Sequence, residues 1–306
     1  MVTAGGEQDR AQLMLIGAVA LAFVILGFVT VFNALVVDAG GSSAVGADVG
    51  GGEEFNHEVR RDVRTLTIRV DHGRIYADEN RLTKDLNHAT AEYSRVLAET
   101  HAATGPVATN VSYDGIRTPG TRVVQNETQP LGATTPVTNG RVGWFVLLLD
   151  TTTLDASESF DVTVDGDSAG EDITYSFSDR AESDGVYVNV TGASGTTTST
   201  VCHPANDEML VDLVRGSSYT SDCEFGGIDT VDGPVSVTFS GDIDTEGEYD
   251  IVTDDTNPNG LSPCPAGGAP GPCNARAVWV AEITTTYDSP SVSYRATQNV
   301  TIYPSA

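Results

Sequence analysis

Twenty-five consecutive residues without a charge, 13–37 (LMLIGAVALAFVILGFVTVFNALVV), constrain this chain more than any other feature. As a helix rising about 1.5 Å per residue they measure roughly 37 Å, and a bilayer's hydrocarbon core is about 30 Å thick. The expectation is a membrane-spanning helix. A secretory signal peptide cut after Ala39 is the competing reading, but its apolar core normally runs about 7–15 residues. A buried core helix fits less well, because only Thr30 and Asn33 interrupt the apolar run.

Charge narrows the partners. The chain carries 43 acidic against 16 basic residues, a net charge of -27, and a polyanion of this kind repels nucleic acid. Eight of the basic residues (Arg60, Arg61, Arg64, Arg69, Arg74, Arg81, Lys84 and Arg95) fall within 60–95, whereas 150–306 holds only Arg180, Arg215, Arg276 and Arg295. Lys84 is the only lysine. The acid-rich, lysine-poor composition resembles that of proteins from high-salt cells, where dense salt screens self-repulsion.

Residues 1–11 form a polar tail and 12–37 the apolar helix. Residues 38–52, dominated by Gly, Ala and Ser, read as a flexible linker. A helical segment follows over 53–105. Phe55, Val59, Val63, Leu66 and Val70 recur at steps of three and four, and Asp71-His72-Gly73 marks a break. A second helix is expected over 78–103, with Leu82, Leu86, Ala89, Tyr93, Val96 and Leu97 as its apolar stripe and Gly105-Pro106 as its stop. From 106 to 306 the period becomes two, in short runs rich in Val, Thr, Ile and aromatics. The fold class expected is therefore α+β: a membrane helix, a two-helix segment, then a β-rich head, either a sandwich or an antiparallel sheet. The continuous run Trp144 to Leu149 reads as a central strand buried on both faces.

Cys202, Cys223, Cys264 and Cys273 all lie in the head, and neighbour pairing (202 with 223, 264 with 273) is favoured among the three connectivities four cysteines allow. Together with N-x-Ser/Thr sequons at Asn110, Asn126, Asn189 and Asn299, they place the head outside the cell and the N-terminus in the cytoplasm. No catalytic, cofactor or metal motif is complete: there is no G-x-S-x-G, no H-E-x-x-H, no phosphate-binding loop and no dinucleotide fingerprint. The five histidines read as partly exposed polar residues. Asp242, Asp244 and Glu246 with Gly247 match the opening of a calcium loop, but Thr253 stands where the bidentate Glu is needed, so an acidic turn is the plainer reading.

Arg10-Ala11-Gln12, with a polar tail before and an uninterrupted apolar helix after, resembles the leader of archaeal type IV pilins and archaellins. The wider layout resembles haloarchaeal pilin-like membrane proteins, in which such a helix precedes a helical segment and a variable β-rich ectodomain. The resemblance implies cleavage by a prepilin peptidase between Ala11 and Gln12, and a non-catalytic surface-filament subunit whose partners are like subunits and the membrane. Close helix approach would use small residues such as Gly17, Ala20 and Gly27. A single-pass, membrane-anchored binding module that never polymerises is the alternative.

Overall fold

Alternation of apolar and polar side chains from residue 108 onward yields strands with one buried face, and those strands assemble into two antiparallel sheets. The computed structural model describes residues 46–166, 172–180, 185–204, 206–228, 231, 233–242, 244–256, 260–265 and 271–303. Contacts divide the chain into two units, Met1–Phe55 and Asn56–Ala306. Of the first, only the opening of a helix is described. Among the described residues no helix is long and apolar enough to cross a membrane, and the stretch 13–37 lies outside them.

Two helices come first, α1 (Gly46–Gly73) and α2 (Glu79–Thr104). Helix α1 thus starts inside the stretch expected to be a linker. Each Gly costs a helix about 1 kcal/mol, and the long amphipathic segment that follows supplies the tertiary contacts to carry it. Asp78 caps α2, its carboxylate accepting from the Asn80 amide at 3.1 Å, and the Gly105 amide closes the other end on the His101 carbonyl.

The strands are β1 (Ala108–Pro130), β2 (Val137–Gly140), β3 (Val142–Asp150), β4 (Phe160–Gly166), β5 (Ile173–Asp179), β6 (Val186–Gly192), β7 (Thr197–Cys202), β8 (Glu208–Asp212), β9 (Ser217–Ser218), β10 (Val235–Gly241), β11 (Glu246–Thr253), β12 (Cys273–Asp288) and β13 (Ser293–Thr301). One sheet has the order β13-β12-β1-β11-β3-β8-β9 and the other β2-β10-β4-β5-β6-β7. They pack face to face over a core of Phe145, Leu147, Leu149, Phe160, Tyr175, Phe177, Phe239 and Ile251. Phe239 sits at its centre, with ring centroids of Tyr249 at 5.1 Å and Phe160 at 5.6 Å.

The seven-stranded sheet serves two layers. Val123 of β1 belongs to the core between sheets, whereas its neighbour Arg122 reaches the end of α1, so that end lies on the sheet's opposite face. At the β13 side, Asn56 of α1 accepts from the Thr285 hydroxyl at 2.9 Å and the Gln298 amide at 3.1 Å, and Arg64 donates to the Ile302 carbonyl at 2.8 Å. Tyr93 of α2 donates to Asp62 of α1, tying the helices together, while the Ser94 hydroxyl accepts the Val111 amide of β1.

Several expectations change in detail. In α1 the buried line is Phe55, Val59, Val63, Thr67 and Asp71, the first three as expected, and not Leu66 and Val70, which are half-buried. A step of four keeps one line in contact with the sheet, and its two polar members find partners: Thr67 in its own helix through the Val63 carbonyl, Asp71 in the sheet through one carboxylate oxygen. In α2, Leu82 and Leu86 are buried as expected, but the line continues through Thr90 and Ser94, leaving Val96 exposed. Strand β3 is central, between β11 and β8, yet buried on one face only: Phe145, Leu147 and Leu149 point into the core, while Trp144, Val146 and Leu148 are half-covered.

Candidate functional site

Both predicted disulfides are formed, Cys202–Cys223 and Cys264–Cys273. The first ties β7 to the segment after β9; the second closes the loop before β12 and packs with Val124, Ala275 and Ile75. The other sequence-marked residues, Arg10, Ala11, Gln12, Gly17, Ala20 and Gly27, lie outside the described residues. At the calcium-like turn, Asp242 spends its carboxylate on its own loop, accepting from the Asp244 amide at 3.0 Å and the Thr245 hydroxyl at 3.2 Å. Among the described residues, no group of three or more His, Cys, Asp and Glu is placed to hold a metal ion.

What the structure assembles instead is a polar cluster where α1 ends on the sheet. Asp71 and His72 come from the last turn of α1, Arg122 from β1, Asp250 from β11, and Tyr303 from just beyond β13. Arg122 forks onto Asp250, with Nε to Oδ1 and Nη2 to Oδ2 both at 2.8 Å. Its Nη1 reaches the carbonyls of Asp71 at 3.0 Å and Arg74 at 3.4 Å, so one guanidinium satisfies carbonyls that the helix end leaves without partners and opposes the negative end of the helix dipole. Asp71 Oδ2 accepts from the Val278 amide and from the Tyr303 hydroxyl, each at 3.1 Å. His72 faces Asp250 through Nδ1 at 2.8 Å and Tyr303 through Nε2 at 3.1 Å, and its ring lies 4.6 Å from the Trp144 indole.

Burial sets the electrostatics. Asp71 is 0% exposed, and Oδ1 has no hydrogen-bond partner among the described residues. Desolvation pushes its carboxyl up to about 7, despite the Val278 and Tyr303 hydrogen bonds and the nearby Arg122 charge. Burial acts the same way on Asp250, but the His72 and Arg122 hydrogen bonds and charges outweigh it and hold that carboxyl below its ordinary value. Tyr303 is driven well above 10, by burial first and then by the two carboxylates.

Tyr303, His72 and Asp250 are in line as the members of a nucleophile, base and orienting-acid relay would be. Tyr303 is buried at 1% exposure, so the head of that line is closed to solvent in this structure. What the cluster does mechanically is fasten α1 to β1, β11, β12 and the chain's end at once. Beside it, Arg122, Asp250, Val124, Val146, Leu148 and Leu210 line a shallow groove of about 190 Å³ on the uncovered part of the sheet.

Sequence reasoning missed this cluster. It read His72 as a partly exposed polar residue with no named partner, and passed over β11 altogether because the acids of EGEYDIVT masked the strand. The signal was present: Tyr249 and Ile251 alternate with Glu248 and Asp250. Comparisons with protein-family models, curated proteins and solved structures found no match.

Proposed function

We propose that this chain is a pilin-like subunit of a haloarchaeal surface filament. Its head stands outside the cell, the residues 13–37 cross the membrane before assembly, and its role is structural or adhesive rather than catalytic. One observation carries the reading: the helix that follows the N-terminal apolar segment is fastened to the head's antiparallel sheet at two places, by Asn56 part-way along it and by the Asp71 cluster in its last turn. A subunit that transmits force from a helical shaft to a β-rich head needs this mounting, and the layout agrees with the pilin resemblance at Arg10-Ala11-Gln12.

Mass spectrometry of the mature N-terminus tests it. A chain beginning at Gln12 is expected; an intact Met1, or a start after Ala39, refutes it. The groove beside Arg122 and Asp250 favours the second reading, an anchored binding module, which predicts recovery from membranes and never from sheared filaments.

A further inference from the structure

Two grooves of opposite charge lie on different surfaces of the head. The first is about 410 Å³ and is lined by His57, Arg60, Arg61 and Arg64 of α1 together with Val300 and Thr301 of β13. All four of those α1 residues are exposed. Arg64 anchors its Nε on the Ile302 carbonyl, Arg61 stands 3.6 Å from its neighbour Asp62, and Arg60 makes no ion pair among the described residues. The second groove is about 230 Å³, formed around the short turn Thr151–Thr153, with Asp179 and Asp207 in its wall. Further acids follow close by in the backbone: the Thr151 amide donates to the Asp207 carbonyl and the Asp179 amide to the Asp155 carbonyl, while Asp150 pairs in register with Glu208. Arg180, the next residue after Asp179, is spent on the Tyr187 ring at 5.6 Å, and His203 stands beside Gly185 at the margin.

We infer that the basic groove of one copy receives the acidic groove of a second copy, so that these two surfaces form the subunit contact. This rests on the filament reading and names its interface. The sheet order puts the grooves far apart: β13 is one edge, β8 lies five strands away, and at about 4.8 Å per strand the separation is roughly 24 Å. Since the two surfaces differ, the contact is head-to-tail, and each copy keeps one groove free for the next. Such a contact propagates into a chain where a self-complementary one would stop at a dimer.

Charge arithmetic supports the same occupant. Two bodies each of net charge -27 repel everywhere except where a basic patch meets an acidic one. The Debye length falls to about 3 Å at 1 M salt, so the long-range repulsion is screened while direct Arg–carboxylate pairs, held by bidentate hydrogen bonds, remain.

The test uses the full chain in detergent at molar salt, followed by sedimentation. The wild type is expected to form oligomers. R60E/R61E and D207R/E208R, in exposed positions outside the buried cluster, are each expected to sediment as monomers. An equimolar mixture of the two is expected to regain oligomers, because each reversed groove then meets its complement and the native pair still fits. Peptide mapping of both disulfides confirms that the variants fold. A monomeric wild type, oligomers persisting in either variant alone, or a mixture that stays monomeric overturns the inference. So does R60E/R61E losing binding to phosphatidylglycerol vesicles with self-association unchanged, since the occupant is then a lipid surface. The N-terminus is read on the same material: a chain that is not cut before Gln12 yet still associates overturns the filament reading and leaves this contact standing.

Discussion

Replacing Asp71 by Asn isolates the cost of ionising a buried carboxyl. In the fold its proton is held up to about 7, against an ordinary 3.8, because burial disfavours the charged form. The folded state therefore binds more protons than the unfolded chain between those values, and stability falls as pH rises through that window. Asp71's favourable contribution is complete below about pH 4, declines from about pH 4 to 7, and is level above. The rise from 3.8 to about 7, at about 1.36 kcal/mol per pH unit, amounts to roughly 4 kcal/mol. The introduced carboxamide would keep one oxygen to accept from the Val278 amide and the Tyr303 hydroxyl, and would put an amide hydrogen where Oδ1 has no partner, an unmet donor costing about 1–3 kcal/mol at every pH. Hence D71N should be level with or below the wild type at pH 4, and should gain on it by about 4 kcal/mol by pH 8. Urea unfolding of both proteins across pH 4–8 at fixed ionic strength measures this, with an unchanged denaturant slope showing that the states compared are the same. Titrating groups outside the cluster cancel in the difference. Parallel stability curves, or a wild type that gains on the variant as pH rises, would refute the placement of a protonated carboxyl at the end of α1.

Two further outcomes test the same structure. Arg122→Lys loses the fork onto Asp250 and the bond to the Asp71 carbonyl, leaving a buried carboxylate short of partners, and should lower the stability measured by urea unfolding by about 3 kcal/mol or more. Replacing Cys202 and Cys223 by Ala should cost about 3 kcal/mol, roughly 0.7 kcal/mol more than replacing Cys264 and Cys273, because the sequence separations are 21 and 9; equal losses in thermal unfolding would contradict the loop-entropy account.

Much of the head was legible because local rules and tertiary demands agree there. Strand β3 spans the residues its apolar run marks, β5, β6 and β10 begin where their alternation begins, and helix α2 starts after the Asp78 cap and ends at Gly105. Where Gly and Pro look like punctuation, the structure differs. Residues 115–120 (GIRTPG) suggest a boundary between two strands, yet β1 runs through them, its register slipping against β12 between Tyr113 and Gly115 and again before Pro119. Irregular pairing absorbs the missing donor of Pro and the freedom of Gly. The cluster at the end of α1 was illegible for another reason: its members lie up to 232 residues apart, and none belongs to a motif.

By itself, the sequence marked the periodic quantities: most of the helical and strand runs, four cysteines in the head whose spacing favours two local bridges, and an apolar segment before it. Those follow from side-chain spacing along one element and from loop closure over short distances. Only the tertiary structure decided that α1 rests on the sheet along Val59, Val63, Thr67 and Asp71, that β11 carries Asp250 to the helix end, and that a carboxyl in the last turn of α1 loses its water. Each depends on which strands become neighbours, and burial, the cause of the raised Asp71 carboxyl, arises only when distant segments close over it.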